Sequence, residues 1–294
     1  MKKIVSIIAL LLISSTVSAQ FYVSASGGYG FAANKDNVGV TTSTGLYSTI
    51  PSFYSSESLN EDSYGEGINA QLRIGYSFNE VFSLELGVGY LLGSDITNNQ
   101  VLFDNTLVSP AEETALIDMY ARGRAFGASL SGVVNITKNF YTRIGLLTKI
   151  GGQTENYTNI DFSSISSILG PQVFQEAGAE LDIQADFQTN FEGKLPLGFV
   201  GAVGYKFDLS DKFGLFVEAE YMNIRVFRDS SSLESFSGTI NGAETTAEDL
   251  AVLLYALGYE DLTVLLEEDH DWSNTRRFAP YSSIGFNVGV TYKF

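Results

Sequence analysis

Residues 68–90 read INAQLRIGYSFNEVFSLELGVGY, and the parsing of that line decides the fold. Ile68, Ala70, Leu72, Ile74, Tyr76 and Phe78 alternate with Asn69, Gln71, Arg73, Gly75 and Ser77. After Asn79-Glu80 the alternation resumes as Phe82, Leu84, Leu86, Val88 and Tyr90 against Ser83, Glu85, Gly87 and Gly89. A period of two over such a length marks a strand with two unlike faces, and two of them joined by a few residues make a hairpin. The unit recurs twice. Residues 121–134 lead through Ile136-Thr137-Lys138-Asn139 into Phe140, Ile144, Leu146 and Ile150. Leu195, Leu197, Phe199, Val203, Tyr205 and Phe207 lead through residues 208–212 into Phe213, Leu215, Val217, Ala219 and Tyr221. Single strands over 21–31 and 283–294 bring the count to eight.

The connections are strongly unequal. Hairpin turns take a few residues, whereas residues 33–66, 94–119, 153–186 and 229–277 form connections far longer than ordinary loops. Short turns on one side, long loops on the other and an even number of antiparallel strands are the layout of a transmembrane β-barrel. The second face of the strands separates this from a soluble barrel. A water-facing side would carry many charged residues, but here it is mostly Gly, Ala and Ser, which suits a narrow lumen. Aromatics gather where the strands meet their turns, at Tyr76, Phe78, Phe82, Phe140, Tyr205, Phe207, Phe213, Tyr292 and Phe294. Tyr29, Tyr90 and Tyr221 stand near the opposite ends, and together they read as the two aromatic girdles of a membrane barrel. The expected fold is therefore all-β: an eight-stranded antiparallel transmembrane β-barrel whose long extracellular loops contain short helices.

Composition agrees and excludes several functions. The chain of 294 residues has 29 Gly, 21 Phe and 16 Tyr, and only 17% of it is charged, below the roughly 25% of a soluble domain. A net charge of −17 rules out unaided nucleic-acid binding, and the absence of Cys rules out disulfides, thiolate nucleophiles and Cys-based metal sites. Residues 1–19 read as a secretory signal, with Lys2 and Lys3, an apolar stretch from Ile4 to Ile13 and the small-residue site Val17-Ser18-Ala19. The mature barrel would then occupy residues 20–294.

Ile284, Phe286, Val288, Val290, Tyr292 and Phe294 alternate up to the last residue. With the leader and the eight strands, the chain resembles the small OmpA/OmpX-type outer-membrane β-barrel family. The resemblance implies residence in the outer membrane of a Gram-negative-type envelope, contact with its lipid and lipopolysaccharide, and insertion by the barrel-assembly machinery. That machinery would read Phe286, Val288, Val290, Tyr292 and Phe294.

An eight-stranded barrel has room only for its own side chains, so inward charges must pair or be wetted. Parity turns Arg73, Arg143, Lys149 and Lys206 inward against Glu85, Glu218 and Glu220. A turn centred on Asn79 would set Arg73 opposite Glu85. The expectation is a salt-bridge plug, with a gated ion path as the alternative reading. Outside the barrel, 27 of the 34 acidic residues fall in the four long loops. Arg122, Arg124, Arg225, Arg228, Arg276 and Arg277 cluster where strands meet those loops, either as a solvated collar or as a grip on lipopolysaccharide phosphates. The acidic loops would recruit divalent cations or basic extracellular ligands.

Helix-start patterns occur at Ser109-Pro110-Ala111-Glu112 and over Thr245 to Glu248. Behind the second, Leu250, Leu253, Leu254 and Leu257 recur at helical spacing, and Leu262, Leu265 and Leu266 suggest another turn of helix. Alternation around residues 180–191 predicts that strands five and six protrude beyond the membrane as a sheet. The only His, His270, lies among acids, and no nucleophile–base–orienter set is visible. The sequence thus points to a structural or surface-interaction barrel without enzymatic activity or cofactor. A narrow passive channel for small or apolar molecules is the runner-up.

Overall fold

The computed structural model describes residues 20–46, 53–104, 113–162 and 182–294. The leader (1–19) and the Ser109 helix-start pattern lie outside the described residues. Eight strands close on themselves: β1 (Gln20–Ala32), β4 (Gly67–Ser77), β5 (Phe82–Gly93), β7 (Glu113–Asn135), β8 (Phe140–Gly151), β11 (Gly198–Asp208), β12 (Phe213–Asn223) and β17 (Ser283–Lys293). Each pairs antiparallel with the next in that order, and β17 returns to β1 over Tyr22↔Lys293 to Ala32↔Ser283. Closure leaves the barrel no free edge, which is the condition for burying peptide groups in hydrocarbon.

The three tight turns share one chemistry. Phe78, Ile136 and Leu209 donate their N–H to the carbonyls of Phe82, Phe140 and Phe213. The following residue, Asn79, Thr137 or Ser210, accepts the N–H groups two and three positions on through its side-chain oxygen. Asn79 thus opens its turn instead of centring it. The pairing becomes Ser77↔Ser83, so Arg73 faces Gly87, and the expected Arg73–Glu85 register is off by two residues.

Outward side chains are left largely uncovered: Ile144 is 71% exposed, Phe286 67%, Val288 62% and Leu86 61%, while inward Arg143 and Glu218 are 2% exposed. An exposed apolar belt around a buried charged centre is the inverse of a soluble fold. Among the described residues no helix is long and apolar enough to cross a membrane.

Beyond the barrel the long connections build a second sheet in the order β3 (Phe53–Asp62), β2 (Asp36–Leu46), β6 (Ile96–Asp104), β7, β9 (Thr154–Asp161), β10 (Ile183–Gly193) and β13 (Arg225–Ile240). Short strands β14 (Ala243–Glu244), β15 (His270–Asp271) and β16 (Phe278–Pro280) add to β13. The protruding sheet is present over Ile183–Gly193, with residues 180 and 181 outside the described residues, and it is wider than the sequence suggested. Strand β7 joins both layers: it pairs with β6 and β9 up to Gly123 and with β5 and β8 from Arg124 on. Helix α1 (Ala247–Ala256) and the short α2 (Glu260–Thr263) cover one side of this cap. The cap residue of α1 is Thr246, whose hydroxyl accepts the Asp249 N–H, one position later than the expected Thr245 pattern. Leu250 and Leu254 are fully buried with Ile117, Ile160, Ile183, Leu265 and Trp272, whereas Leu257 is left outside this core.

Inside the barrel, three aromatic rings lie flat over glycines directly opposite them. Tyr22 faces Gly75, Tyr141 faces Gly204 and Phe216 faces Gly289. A methyl group at Gly204 would stand 2.3 Å from the Tyr141 ring. Gly204→Ala is therefore expected to displace that ring and cost about 1–3 kcal/mol, as overpacking does. Urea unfolding in lipid bilayers reads the loss, and unchanged stability would contradict the packing described.

Candidate functional site: a buried ion cluster under a half-open cavity

Five of the seven inward charges gather at mid-barrel. Arg73 on β4 lies 3.0 Å from Glu218 on β12 and 3.8 Å from Glu85 on β5. Arg143 on β8 lies 2.7 Å from Glu218 and 3.9 Å from Glu85, and the same Nη2 that meets Glu218 also donates to Glu220. Two guanidinium groups thus share three carboxylates, the arrangement a narrow low-dielectric core demands of charges it cannot solvate. Polar neighbours add hydrogen bonds to the cluster. The Tyr22 hydroxyl donates to Glu85 at 2.9 Å, the Tyr141 hydroxyl to Glu218 at 2.7 Å and the Gln71 amide to Glu220 at 2.8 Å. Arg73 also lies over the Phe216 ring, 5.0 Å from its centre.

Lys149 and Lys206 stand apart from the cluster. Lys206 points toward the turns, donating to Asn135 at 3.0 Å and lying over the Tyr141 ring. Lys149 sits at the opposite end, where it donates to the Gly152 carbonyl. Parity assigned both to the lumen side, but it carries no height, and height separates them from the carboxylates. The aromatic members Tyr22, Tyr141 and Phe216 went unread because each sits on the lumen face among small residues, and its role depends on strand register.

Above the cluster the lumen widens into a cavity of about 100 Å³ whose floor is Gln71, Arg143 and Glu220. Gly87, Gly89 and Gly127 leave it empty by contributing no side chain, and Leu147, Val200 and Met222 line its walls. Its roof is an apolar septum under the cap, where Tyr64, Leu91, Ile224, Val226 and Tyr281 are buried together. The Tyr281 hydroxyl is tied to Thr154 at 2.7 Å.

The arginines at the cap boundary have found separate partners. Arg122 pairs with Asp95 at 3.0 Å and with Glu155, and Arg124 pairs with Glu155 at 3.3 Å. Arg225 pairs with Asp36 at 3.3 Å, and Arg277 lies over Trp272 with Asp261 at the limit of ion-pair range. Arg276 is exposed. Arg228 lies over Phe191 at 4.2 Å and Trp272 at 5.7 Å, with no carboxylate partner among the described residues. Burial pulls its guanidinium below the usual value, the Tyr64 and Tyr281 phenols oppose that, and Arg277 adds to it. His270 is held by Glu267 at 2.6 Å and packs edge-on against Trp272, so its imidazole serves the cap structure. Among the described residues no group of His, Asp and Glu is placed to hold a metal ion.

A closed antiparallel wall, a lipid-facing apolar belt, short turns at one end and a cap at the other define an outer-membrane β-barrel, and the chain is a small barrel of that class. No protein-family profile and no curated protein matches the sequence. Among solved structures it is similar to Neisserial surface protein A, at 11% identity over 95% of this chain and 100% of that one, with a TM-score of 0.34. It is also similar to the outer membrane protein OprG from Pseudomonas aeruginosa, at 13% identity over 94% and 96% of the two chains, with a TM-score of 0.36. A third similar structure is Ail, the attachment invasion locus protein of Yersinia pestis, in complex with the heparin analogue sucrose octasulfate; identity is 10% over 95% and 100%, with a TM-score of 0.31. The assignment to the class rests on the barrel's own geometry.

Glu218 touches both arginines, so its removal leaves buried cations uncompensated. Glu218→Leu is expected to cost about 3–5 kcal/mol, and adding Arg143→Met should recover part of that. Urea titrations in bilayers of Glu218→Leu, of Arg143→Met and of the double variant close the cycle. Strictly additive losses would show that the cluster is not coupled.

Proposed function

We propose that the protein is an axially closed surface barrel: the ion cluster plugs the lumen, and the acidic cap is the part that meets the extracellular medium and its ligands. The observation that carries this reading is the pair of barriers in series, five interlocked charged side chains at mid-barrel and an apolar septum beneath the cap. A hydrated ion crossing the lumen would have to break several charge-assisted bonds and then pass a tightly packed, mostly apolar layer. A structural and surface-interaction role follows from what remains accessible, an acidic protruding sheet with its own helix-covered core. Such a cap favours basic or cationic ligands and repels polyanions.

The same reading takes residues 1–19 as the export leader and the lipid-facing Phe286, Val288 and Val290, with Tyr292 and Phe294, as the strand recognised by the assembly machinery. Tyr292 and Phe294 meet edge to face and Tyr292 also touches Phe213, so this last strand closes the girdle at the turn side. Lipopolysaccharide would be met by the cap-boundary arginines; four of the six already hold carboxylates of the protein, which leaves Arg228 and Arg276 as the anion-seeking members. No enzymatic step is proposed.

Planar-bilayer recording tests the closure. Purified protein reconstituted in concentrated KCl is expected to show no steady open level. A large, constant conductance would overturn the plug and return the molecule to the channel reading.

A further inference from the structure

The barrel wall has a break. Pairing of β8 with β11 ends at Leu147↔Gly198, and pairing of β9 with β10 begins at Thr154↔Phe191. Between them residues 148–153 and 192–197 face each other without a ladder. The cause is local: Pro196 offers no N–H, and the Thr148 hydroxyl spans the gap by donating to the Pro196 carbonyl at 2.6 Å. Unpaired backbone needs water or a polar partner, so such a gap belongs at the membrane boundary or beside a cavity. Both conditions hold here. Phe126, Phe199 and Phe227 mark the outer girdle beside it, and two cavities meet behind it. The lumen cavity is lined by Thr148, Lys149 and Val226, and a smaller cleft by Lys149, Phe191, Val226 and Arg228, so Lys149 and Val226 belong to both.

We propose that this gap is a lateral portal and that cavity and cleft together bind one single-chain amphiphile with an anionic head, the head at Arg228 and Lys149 and the alkyl chain in the lumen cavity. The proposal rests on axial closure, because with the septum above and the ion cluster below, the break in the wall is what connects the cavity to the outside. Leu195 and Leu197, 78% and 74% exposed, flank it on the outer side, so an alkyl chain arriving from the membrane meets apolar surface at the entrance. The cavity suits one chain. Gly87, Gly89 and Gly127 make a smooth slot walled by Leu147, Val200, Met222 and Ile224, and Gln71, Arg143 and Glu220 form its polar end.

The head is specified by charge. Arg228 is a half-buried cation that lies against both Phe191 and Trp272 without an ion pair among the described residues, and its charged neighbour is another cation, Arg277. Lys149 lies across the cleft, with Glu192 beside it on the exposed rim. A half-buried unpaired cation is costly, and a carboxylate or phosphate completes it. A neutral head would leave that cost in place.

The full chain in nanodiscs of zwitterionic lipid, titrated with decanoate, decanol and acetate, tests this. Trp272 is the single tryptophan and stacks on Arg228, so its fluorescence reports arrival of the head. Decanoate is expected to give a saturable change that empty nanodiscs and acetate do not give. Arg228→Gln should weaken decanoate about tenfold or more and leave decanol unaltered, as loss of a charge-assisted bond does. Gly127→Leu should abolish decanoate binding by filling the slot; a Cβ there meets Leu147 and Thr148 at 3.6 Å, an ordinary contact. Equal affinity for decanol and decanoate would overturn the head assignment. Saturation by acetate as tight as by decanoate, or undiminished binding in Gly127→Leu, would overturn the chain assignment. Absence of any saturable signal would overturn both. Should Gly127→Leu fail to assemble, the decanoate–decanol comparison in Arg228→Gln decides. A conducting lumen would sink the axial closure instead, and the bilayer recording detects that separately.

Discussion

Hydrocarbon offers a peptide group no hydrogen-bond partner, and the structure follows from that constraint. Eight strands can satisfy it only by closing, and β1 meeting β17 along its length is the closure. Once closed, the wall sorts side chains by parity: apolar ones outward, where lipid accepts them, and everything polar into a lumen too narrow for bulk water. The charges of that lumen must then satisfy one another. Two arginines and three glutamates do so around Glu218, and the flat rings of Tyr22, Tyr141 and Phe216 fit only because Gly75, Gly204 and Gly289 stand opposite them. The glycine content that looks like softness in the sequence is, at these positions, room for an aromatic.

Where the constraint relaxes, the architecture changes. Above the girdle the chain is in water, so backbone groups have partners everywhere and the strands are free to splay, bulge and regroup. The second sheet takes over from the first within β7, and the break at Pro196 falls in this transition. A gap of this kind in the middle of the lipid belt would expose unsatisfied backbone; beside a cavity at the boundary it is tolerated. The cap is stabilised differently from the barrel, by a conventional apolar core of Ile117, Ile160, Leu250, Leu254 and Trp272. One chain thus holds two inside-out versions of the same hydrophobic sorting.

The hairpin over residues 68–90 was legible because its information is local: a period of two and a short turn need no knowledge of the rest of the chain. The register within it was not, since it depended on Asn79 bonding forward to Val81 and Phe82 and so shifting the turn centre. The start of β7 escaped for another reason. Leu116 and Ile117 are consecutive and both buried, so this stretch is covered on two faces and shows no alternation. Strands β2 and β3 are mostly polar, with Thr, Ser, Asn, Asp or Glu at 13 of their 21 positions, and carry no sustained apolar period either. Membership of the ion cluster was readable by parity for Arg73, Glu85, Arg143, Glu218 and Glu220, whereas Lys149 and Lys206 share the parity at other heights. The isolation of Arg228 was invisible, because the partners of its neighbours come from residues far away in sequence, such as Glu155 and Asp36.

The direction of sorting is the claim on which the rest stands, and contacts between methyl groups and lipid chains measure it directly. In protein reconstituted with phospholipid, the methyls of Leu86, Ile144, Val203 and Val288 are expected to show magnetisation transfer from acyl chains, while those of Val133 and Val200 show none. Transfer from water to the first group, with their methyls in contact with one another, would contradict the account.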